Sequence, residues 1–293
     1  MTKISDNDLG LIYKLQKRLL DYMKIGDSIG SIYVIDEALS NNLRPSEIYI
    51  NIIGKALDEM GKLWHQGVIT VAHEHLSSQM AAHLIEIVYQ KSYKLSSNGF
   101  KAVVTTPVGE KHWVGAKMFA NLLLLNGWKV DYLGTETPAK DLSEYVYTSQ
   151  IDIVAISSIL DTNMETTLEC IDYLNNLEVR PFIFVGGPII KDKTEGFENV
   201  FIVGDIKSAI EKVEIVMGLS SNKISLSEIL LSIGNQIQDV RKSQGLNQEQ
   251  LAELASVDRA YISLVENGKQ NFTMGALLKL SESLDVTLAS LIK

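Results

Sequence analysis

The chain has 293 residues, of which 46% are hydrophobic, and its formal net charge is −9. This length predicts two or three domains, and the apolar content is enough for substantial cores. The negative charge argues against nucleic-acid affinity spread over the whole surface, although a local DNA-binding face is compatible with it.

Three features of the sequence bear on cellular compartment and membrane association. The single cysteine, Cys170, rules out a disulfide framework and fits a reducing compartment. The first residues, Met1 to Asp6, have neither the basic nor the apolar region of a signal peptide. No apolar run approaches the roughly 20 residues that cross a bilayer. We therefore expect a cytoplasmic protein with no membrane partner.

Residues 1–97 have the apolar spacing of helices. The first predicted helix ends at Gly26, the second runs from Ile29 to Leu39, and Pro45 opens a third that reaches Trp64. A fourth runs over residues 71–93. Four helices joined by short loops predict an antiparallel bundle.

The junction between the third and fourth helices concentrates unusual side chains. Trp64 and His65 precede the turn, and His73, Glu74 and His75 open the fourth helix. Two interpretations stay open on these residues alone. The stretch either faces a ligand, or it consists of a core tryptophan with histidines on a wet surface.

Residues 98–217 alternate short apolar runs with helical stretches, which predicts an α/β domain with a doubly wound parallel sheet. No Gly-x-Gly-x-x-Gly follows the first strand, so dinucleotide binding is disfavoured. Thr135–Thr137 close the second strand. The predicted strands are 101–105, 129–132, 153–157, 182–185 and 200–202, and the predicted helices are 115–125, 139–148, 165–174 and 206–217.

The loop after the first strand contains Glu110, His112, Trp113 and Gly115. Open parallel sheets bind ligands at the carboxyl ends of their strands. A carboxylate beside a histidine accepts a hydrogen bond from one ring nitrogen and leaves the other nitrogen free to bind a metal. This short window by itself favours the simpler interpretation, a solvated histidine on a βα loop with an incidental glutamate.

Glu110-x-His112-x-x-Gly115 resembles the Asp-x-His-x-x-Gly signature of cobalamin-binding domains, with Glu in place of Asp. That family continues with Ser-x-Leu and Gly-Gly. Here 42 residues separate Gly115 from Ser158-Ile159-Leu160, and 25 more lead to Gly186-Gly187. The resemblance implies that His112 is the lower axial ligand of cobalt and that the nucleotide tail enters a pocket beneath Ser158 and the glycines. Trp113 would lie under or beside the corrin.

The cap region also resembles a family. Trp64 followed after nine residues by Glu74-His75 is similar to the cap signature of CarH-type adenosylcobalamin photoreceptors. The resemblance implies that Trp64 packs on the adenosyl group, Glu74 contacts it, and His75 lines the same pocket. His65 would become the upper cobalt ligand after light has broken the cobalt–carbon bond. The resemblance covers residues 1–215, and it implies adenosylcobalamin as the cofactor.

A linker-like stretch at residues 218–227 leads to a small all-α unit, 228–293. Asn247 is a good N-cap for a helix over 248–254, Asp258 caps the next helix, and Gly268 ends it. Two short helices joined by a tight turn form a helix-turn-helix. The runs at 246–252 and 262–269 resemble those of the phage-repressor (Cro or XRE) family of DNA-binding domains.

The resemblance implies that the second helix of the pair enters the major groove. Residues 224–293 nevertheless contain six basic and eight acidic side chains, a net charge of −2, which is short of the basic footprint of a strong DNA binder. We expect homo-oligomers to supply the missing affinity; the alternative is that the domain binds protein. The DNA-contacting residues implied by the resemblance are Gln248, Arg259, Ala260, Ser263, Lys269 and Asn271.

The predicted architecture is a helical cap over residues 1–97, a cobalamin-binding α/β domain over 98–217, and a helix-turn-helix domain after the linker. The expected function is light-dependent transcriptional regulation, and no acid–base or nucleophile constellation indicates an enzyme. CarH-type photoreceptors carry a different DNA-binding domain at the other end of the chain, so their coupling is not transferable. The alternatives are a light-independent cobalamin sensor, a corrinoid methyl carrier, and a photoreceptor with a further chromophore such as a bilin.

Overall fold

The computed structural model describes residues 6–187, 199–219 and 226–291. The chain divides into two compact units, Met1–Leu219 and Ser220–Lys293. The predicted boundary between cap and α/β domain falls inside the first unit. The predicted linker spans the division, and its residues 220–225 lie outside the described residues.

The first part of the chain forms the predicted helical bundle. The predicted third helix, from Pro45 to Trp64, is present as a continuous helical run, but its central segment is π-helical rather than α-helical. Apolar residues at i and i+4 suit α- and π-helices equally, so the pattern does not reveal the wider turn. Ile48, Tyr49, Ile52 and Ile53 of that segment are fully buried. The cap elements are α1 (Asp6–Ile25), α2 (Ser28–Ser40), α3 (Pro45–Glu47), the π segment (Ile48–Gly54), α4 (Lys55–His65) and α5 (Val71–Lys91).

The α/β part is a parallel five-stranded sheet with strand order β2-β1-β3-β4-β5, which confirms the predicted fold class. β2 extends five residues beyond its predicted end, with register irregularities opposite Thr105 and Pro107. The strands are β1 (Lys101–Pro107), β2 (Lys129–Thr137), β3 (Ile153–Ser157), β4 (Phe182–Gly186) and β5 (Val200–Val203), and the helices are α6 (Val114–Leu125), α7 (Ala139–Ser149), α8 (Met164–Asn175) and α9 (Ile206–Val216).

Alternate strand residues feed two cores on opposite faces of the sheet. Val103 packs with residues of α7 and α8, whereas Ala102 and Val104 belong to a core that also contains α6 and α9. That second core continues into the cap, since Ile12, Tyr49 and many other bundle residues are part of it. The cap therefore packs on the α6–α9 face and shares its hydrophobic core.

Over residues 226–291, which the structure describes, the second unit has five helices around its own core, which includes Ile237, Leu251 and Ile262. Asn247 accepts a hydrogen bond from Gln250 N at 2.9 Å, which confirms it as a side-chain cap. Asp258 precedes α12, but its side chain makes no capping hydrogen bond, so that prediction was wrong in its mechanism. The helices are α10 (Leu226–Ser243), α11 (Gln248–Leu254), α12 (Arg259–Glu266), α13 (Met274–Ser283) and α14 (Leu288–Leu291).

A buried ion pair joins three helices of this unit. Arg241 of α10 and Glu266 of α12 are 6% and 2% exposed. Arg241 Nε and Nη2 donate to the two carboxylate oxygens of Glu266 at 2.5 and 3.0 Å, and Gln248 of α11 donates to Oε2 at 2.8 Å. Burial alone would raise the pKa of Glu266, but these hydrogen bonds lower it.

None of the helices in the described ranges is long and apolar enough to span a bilayer.

Candidate functional site

The loop between β1 and α6 lies at the carboxyl edge of the sheet, beside the segment that follows β3. β1 ends at Pro107 and α6 begins at Val114. The central position of β1 between β2 and β3 places this loop beside the segment that follows β3. Strand order therefore brings the loop containing His112 next to residues about 50 positions later in the chain.

His112 is held by the carboxylate of Glu110. Nδ1 of His112 lies 2.6 Å from Glu110 Oε1, and the backbone N–H of His112 donates to the same oxygen at 2.9 Å. An ionised carboxylate accepts only, so Nδ1 carries the hydrogen and the lone pair stands on Nε2. The His112 side chain is 55% exposed, whereas that of Glu110 is fully buried. The arrangement presents an imidazole able to bind a metal at Nε2, and the longer glutamate reaches it.

The other oxygen of Glu110 is bound by the segment after β3. Oε2 accepts from the backbone N–H groups of Ile159 and Leu160 at 2.7 and 3.1 Å, and from Asn163 Nδ2 at 3.1 Å. Burial alone would raise the pKa of Glu110, but the hydrogen bonds from His112, Ile159 and Leu160 lower it to about 2. The sequence analysis did not identify Asn163, because only its position at the same sheet edge connects it with Glu110.

Ser158 and Leu160 have different environments. Ser158 is fully buried; its N–H donates to Gly186 O at 2.8 Å and its Oγ accepts from Thr167 Oγ at 2.9 Å. Leu160 is 42% exposed. In this structure Ser158 fixes the loop that follows β3, and the following amides hold Glu110.

A cavity of about 260 Å³ opens beside these loops at the carboxyl edge of the sheet. Its walls are predominantly apolar, and they include both Gly115 and the predicted Gly186-Gly187 pair. A Cβ on Gly115 would meet no atom within 4 Å, so a side chain there would extend into open space. The residues that line the cavity include Val104, Gly115, Phe119, Ile156, Phe184, Gly186, Gly187, Gly204 and Ile206.

The local backbone conformation itself requires glycine at position 187. Its φ is +137°, and an added Cβ would lie 1.7 Å from the carbonyl oxygen of Ser158. The protein's own backbone therefore demands glycine at this position, whether or not a ligand passes by. Gly186 has no such restriction, since a Cβ added there would lie 3.8 Å from the side chain of Val203, at an ordinary contact distance.

Trp113 is half-buried and precedes α6, and its carbonyl accepts from Tyr132 Oη at 3.4 Å. Its position against a corrin stays a prediction.

The predicted cap residues lie at the end of α4 and the start of α5. Trp64 is 40% exposed, and its ring stands 4.7 Å from the ring of His65, centroid to centroid. Glu74 Oε1 accepts from Ser78 Oγ at 2.8 Å, and Oε2 lies 3.8 Å from Nε2 of the exposed His75. Trp64 is thus a large aromatic surface outside the core. The roles of the four residues toward a ligand stay predictions.

The predicted DNA-binding residues lie on α11, on α12 and after α12. Arg259, at the start of α12, is 65% exposed and 3.9 Å from Glu249. Gln248 is half-buried and donates to Glu266, so its amide positions α11 against α12. Ala260, Lys269 and Asn271 are exposed, and Ser263 is half-buried. Contact of these residues with DNA stays a prediction.

The geometry fits a corrinoid. A corrinoid supplies most of the ligands of its own cobalt, so one imidazole nitrogen from the protein would suffice, and Nε2 of the exposed His112 could provide it. The cavity offers an apolar slot lined by glycines beside that ligand. In the part of the chain that the structure describes, no group of three or more His, Cys, Asp or Glu side chains is arranged to hold a metal.

Comparisons with known families agree with this geometry. Two family models described as B12 binding domain match residues 15–89 and 100–214, and a helix-turn-helix model matches residues 237–291. The HTH-type transcriptional repressor CarH of Myxococcus xanthus is 30% identical over 156 residues, which are 53% of this chain and 51% of CarH. The match spans only about half of CarH, so the activity of that whole protein is a proposal for this chain.

Corrinoid proteins are also similar. Trimethylamine corrinoid protein 2 of Methanosarcina mazei is 26% identical over 165 residues, 54% of this chain and 76% of that protein. The structure of Methanosarcina barkeri monomethylamine corrinoid protein superposes with a TM-score of 0.60 at 17% identity, covering 69% of this chain and 99% of that one. At this identity the superposition shows the fold alone. The chain thus contains two regions that match B12 binding domains, followed by a region that matches a helix-turn-helix domain, and part of it is similar to CarH.

Proposed function

We propose that this protein is a cobalamin-dependent transcriptional regulator whose signal is light. The observation that carries the proposal is the His112 imidazole, held by the buried Glu110 carboxylate beside a glycine-lined cavity, in a chain that also has a helix-turn-helix domain. His112 would bind the cobalt of the cofactor through Nε2, Glu110 would orient the imidazole ring, and the glycine-lined cavity would hold the nucleotide tail. The cofactor in its adenosyl form supplies a cobalt–carbon bond that visible light breaks.

The cap residues make the protein sensitive to the upper group. Trp64 exposes an indole surface at the end of α4, and Glu74 and His75 lie at the start of α5. A ligand shifts a conformational equilibrium only through its differential contacts with the two states. Trp64 and Glu74 would contact the adenosyl group in the dark state and would have no such contact once that group is lost. His65, whose ring lies 4.7 Å from that of Trp64, would then be available as a metal ligand.

The readout is DNA binding through self-association. The net charge of −2 on the helix-turn-helix region makes a single copy a weak DNA binder, because phosphate contacts supply most of the affinity. Association of copies raises the effective concentration of the second domain. A cap that moves on loss of the adenosyl group changes this association.

The test is an absorption spectrum of adenosylcobalamin-loaded protein before and after green light, with oligomer size and DNA affinity measured in both states. We expect a light-induced spectral change and a change in both other quantities. His112→Ala should weaken cofactor binding and alter the spectrum; His83→Ala, an exposed histidine of α5, is the matched control. An oligomer and a DNA affinity that are equal in dark and light refute light as the signal.

Two other functions give different results in the same assays. A light-independent sensor distinguishes methyl-, hydroxo- and adenosylcobalamin by DNA affinity in darkness. The similarity to trimethylamine corrinoid protein 2 favours a methyl carrier as the second candidate. Methyl transfer from a donor to the bound cofactor, with no effect of the cofactor on DNA binding, identifies that function.

A further inference from the structure

The two oxygens of Glu110 have separate roles. Oε1 is bound by the backbone N–H and Nδ1 of His112. Oε2 is bound by the amides of Ile159 and Leu160 and by the side chain of Asn163. The orientation of the imidazole therefore depends on how firmly Oε2 is anchored on the far side. Among these anchors, Asn163 is the one side chain.

Asn163 is itself held in place. It ends a short 3-10 turn (Asp161–Asn163) before α8 and is 6% exposed. Its backbone carbonyl accepts from Thr167 Oγ at 2.7 Å. On the other side, a Cβ on Gly109 would lie 2.9 Å from Asn163 Oδ1, so the glycine leaves room for the amide. Asn163 thus spans the gap between the segments after β1 and β3.

We propose that Asn163 is a positioning residue that fixes the His112 tautomer and ring orientation through Glu110. Without the Asn163 amide, Oε2 loses one of its three donors, and the long glutamate side chain gains freedom to rotate away from Nδ1. The hydrogen on His112 then distributes between both ring nitrogens. Glu110 is the partner one shell behind the metal ligand, and partners of that kind are typically worth about 10- to 100-fold in affinity. Asn163 lies one shell further out, so we expect its removal to cost less, about 3- to 10-fold.

The first experiment uses cofactor-free protein labelled with ¹⁵N-histidine, which has five histidines in all. The ¹⁵N shifts of His112 report the fraction of each tautomer. We expect the Nδ1–H form to dominate in the wild type and to lose that dominance in Asn163→Ala. The matched control is Asn175→Ala, a similarly buried asparagine of α8 whose Nδ2 donates to Ile171 O. An unchanged tautomer in Asn163→Ala, or an equal change in Asn175→Ala, overturns the proposal.

The second experiment asks whether Asn163 acts through the length of Glu110. In a Glu110→Asp background the carboxylate is one methylene shorter and no longer reaches both sides. Asn163→Ala should then add less than about twofold to the loss of hydroxocobalamin affinity, compared with about 3- to 10-fold in the wild-type background. Equal losses in both backgrounds show that Asn163 acts by packing the loop, and they overturn the proposal.

The affinity arm rests on the proposed function, and the tautomer arm does not. If the wild-type protein takes up no cobalamin, the proposed function fails, and the ¹⁵N comparison still decides the role of Asn163.

Discussion

The buried pair of Arg241 and Glu266 offers a demanding test of the second unit. Replacing Glu266 by Gln removes the negative charge and leaves the 6% exposed guanidinium without its counter-ion. Removal of one partner from a buried pair costs about 3–5 kcal/mol. A folded unit of this size has a stability of about 4–11 kcal/mol at roughly 0.05–0.15 kcal/mol per residue. We therefore expect Glu266→Gln to remove about a quarter or more of the stability of the helix-turn-helix unit.

The assay exploits the distribution of aromatic residues. The three tryptophans of the chain, Trp64, Trp113 and Trp128, belong to the first unit, so their fluorescence follows that unit alone, whereas circular dichroism follows the helices of both. In urea, we expect part of the helical signal of Glu266→Gln to be lost about 1–5 M earlier than in the wild type, with the tryptophan transition unchanged.

The matched control is Glu249→Gln, which removes an exposed carboxylate 3.9 Å from Arg259. Exposed pairs contribute about 0–1 kcal/mol, so this variant should unfold close to the wild type. If Glu266→Gln unfolds at the same urea concentration as Glu249→Gln, the buried pair does not stabilise the unit and the reasoning is refuted.

The same pair predicts a dependence on pH. Hydrogen bonds from Arg241 lower the pKa of Glu266 in the folded state despite its burial. A carboxyl with a lowered folded pKa contributes stability above its unfolded pKa, and that contribution is lost as pH falls through the folded pKa. The wild-type unit should therefore lose stability below about pH 4.3, the usual value for Glu, and Glu266→Gln should show a smaller loss.

Three further predictions concern the site residues. Gly115→Leu should block cobalamin uptake by filling the cavity while leaving the unfolding midpoint near that of Gly10→Leu, a helical glycine that also faces open space; unimpaired uptake in gel filtration would remove the cavity from the site. Arg259→Ala should cost about 1–3 kcal/mol of DNA affinity and relax sequence preference at one position, as a binding series with substituted operators would show; equal losses for all sequences would limit Arg259 to phosphate contact. Cys170→Ala should lower the free energy of unfolding by about 1 kcal/mol. It should leave the visible spectrum unchanged, because the thiol is only 1% exposed and burial raises its pKa to about 12, so it is poorly suited to attach a chromophore. Loss of an absorption band in this variant would identify an attached chromophore.

Local patterns in the sequence carried much of the fold and part of the site. Short apolar runs that alternate with helical stretches predicted the parallel sheet. The two kinds of segment can be told apart locally, because the spacing of apolar side chains on one face differs between helices and strands. Glu110 and His112 are two positions apart, so their pairing follows from short-range geometry. The Asn247 cap of α11 and the glycine that ends α12 are local for the same reason.

The tertiary structure decided which residues from distant parts of the chain come into contact. The neighbouring positions of β1 and β3 bring Asn163 to Glu110, 53 residues away, and the packing of α10 against α12 brings Arg241 to Glu266, 25 residues away. These two contacts could not be predicted from any local sequence pattern, because they depend on strand order and helix packing. The sequence by itself determined which residue presents the imidazole. The folded sheet decided which groups hold it still, because a buried carboxylate accepts whichever donors the neighbouring loops bring within reach.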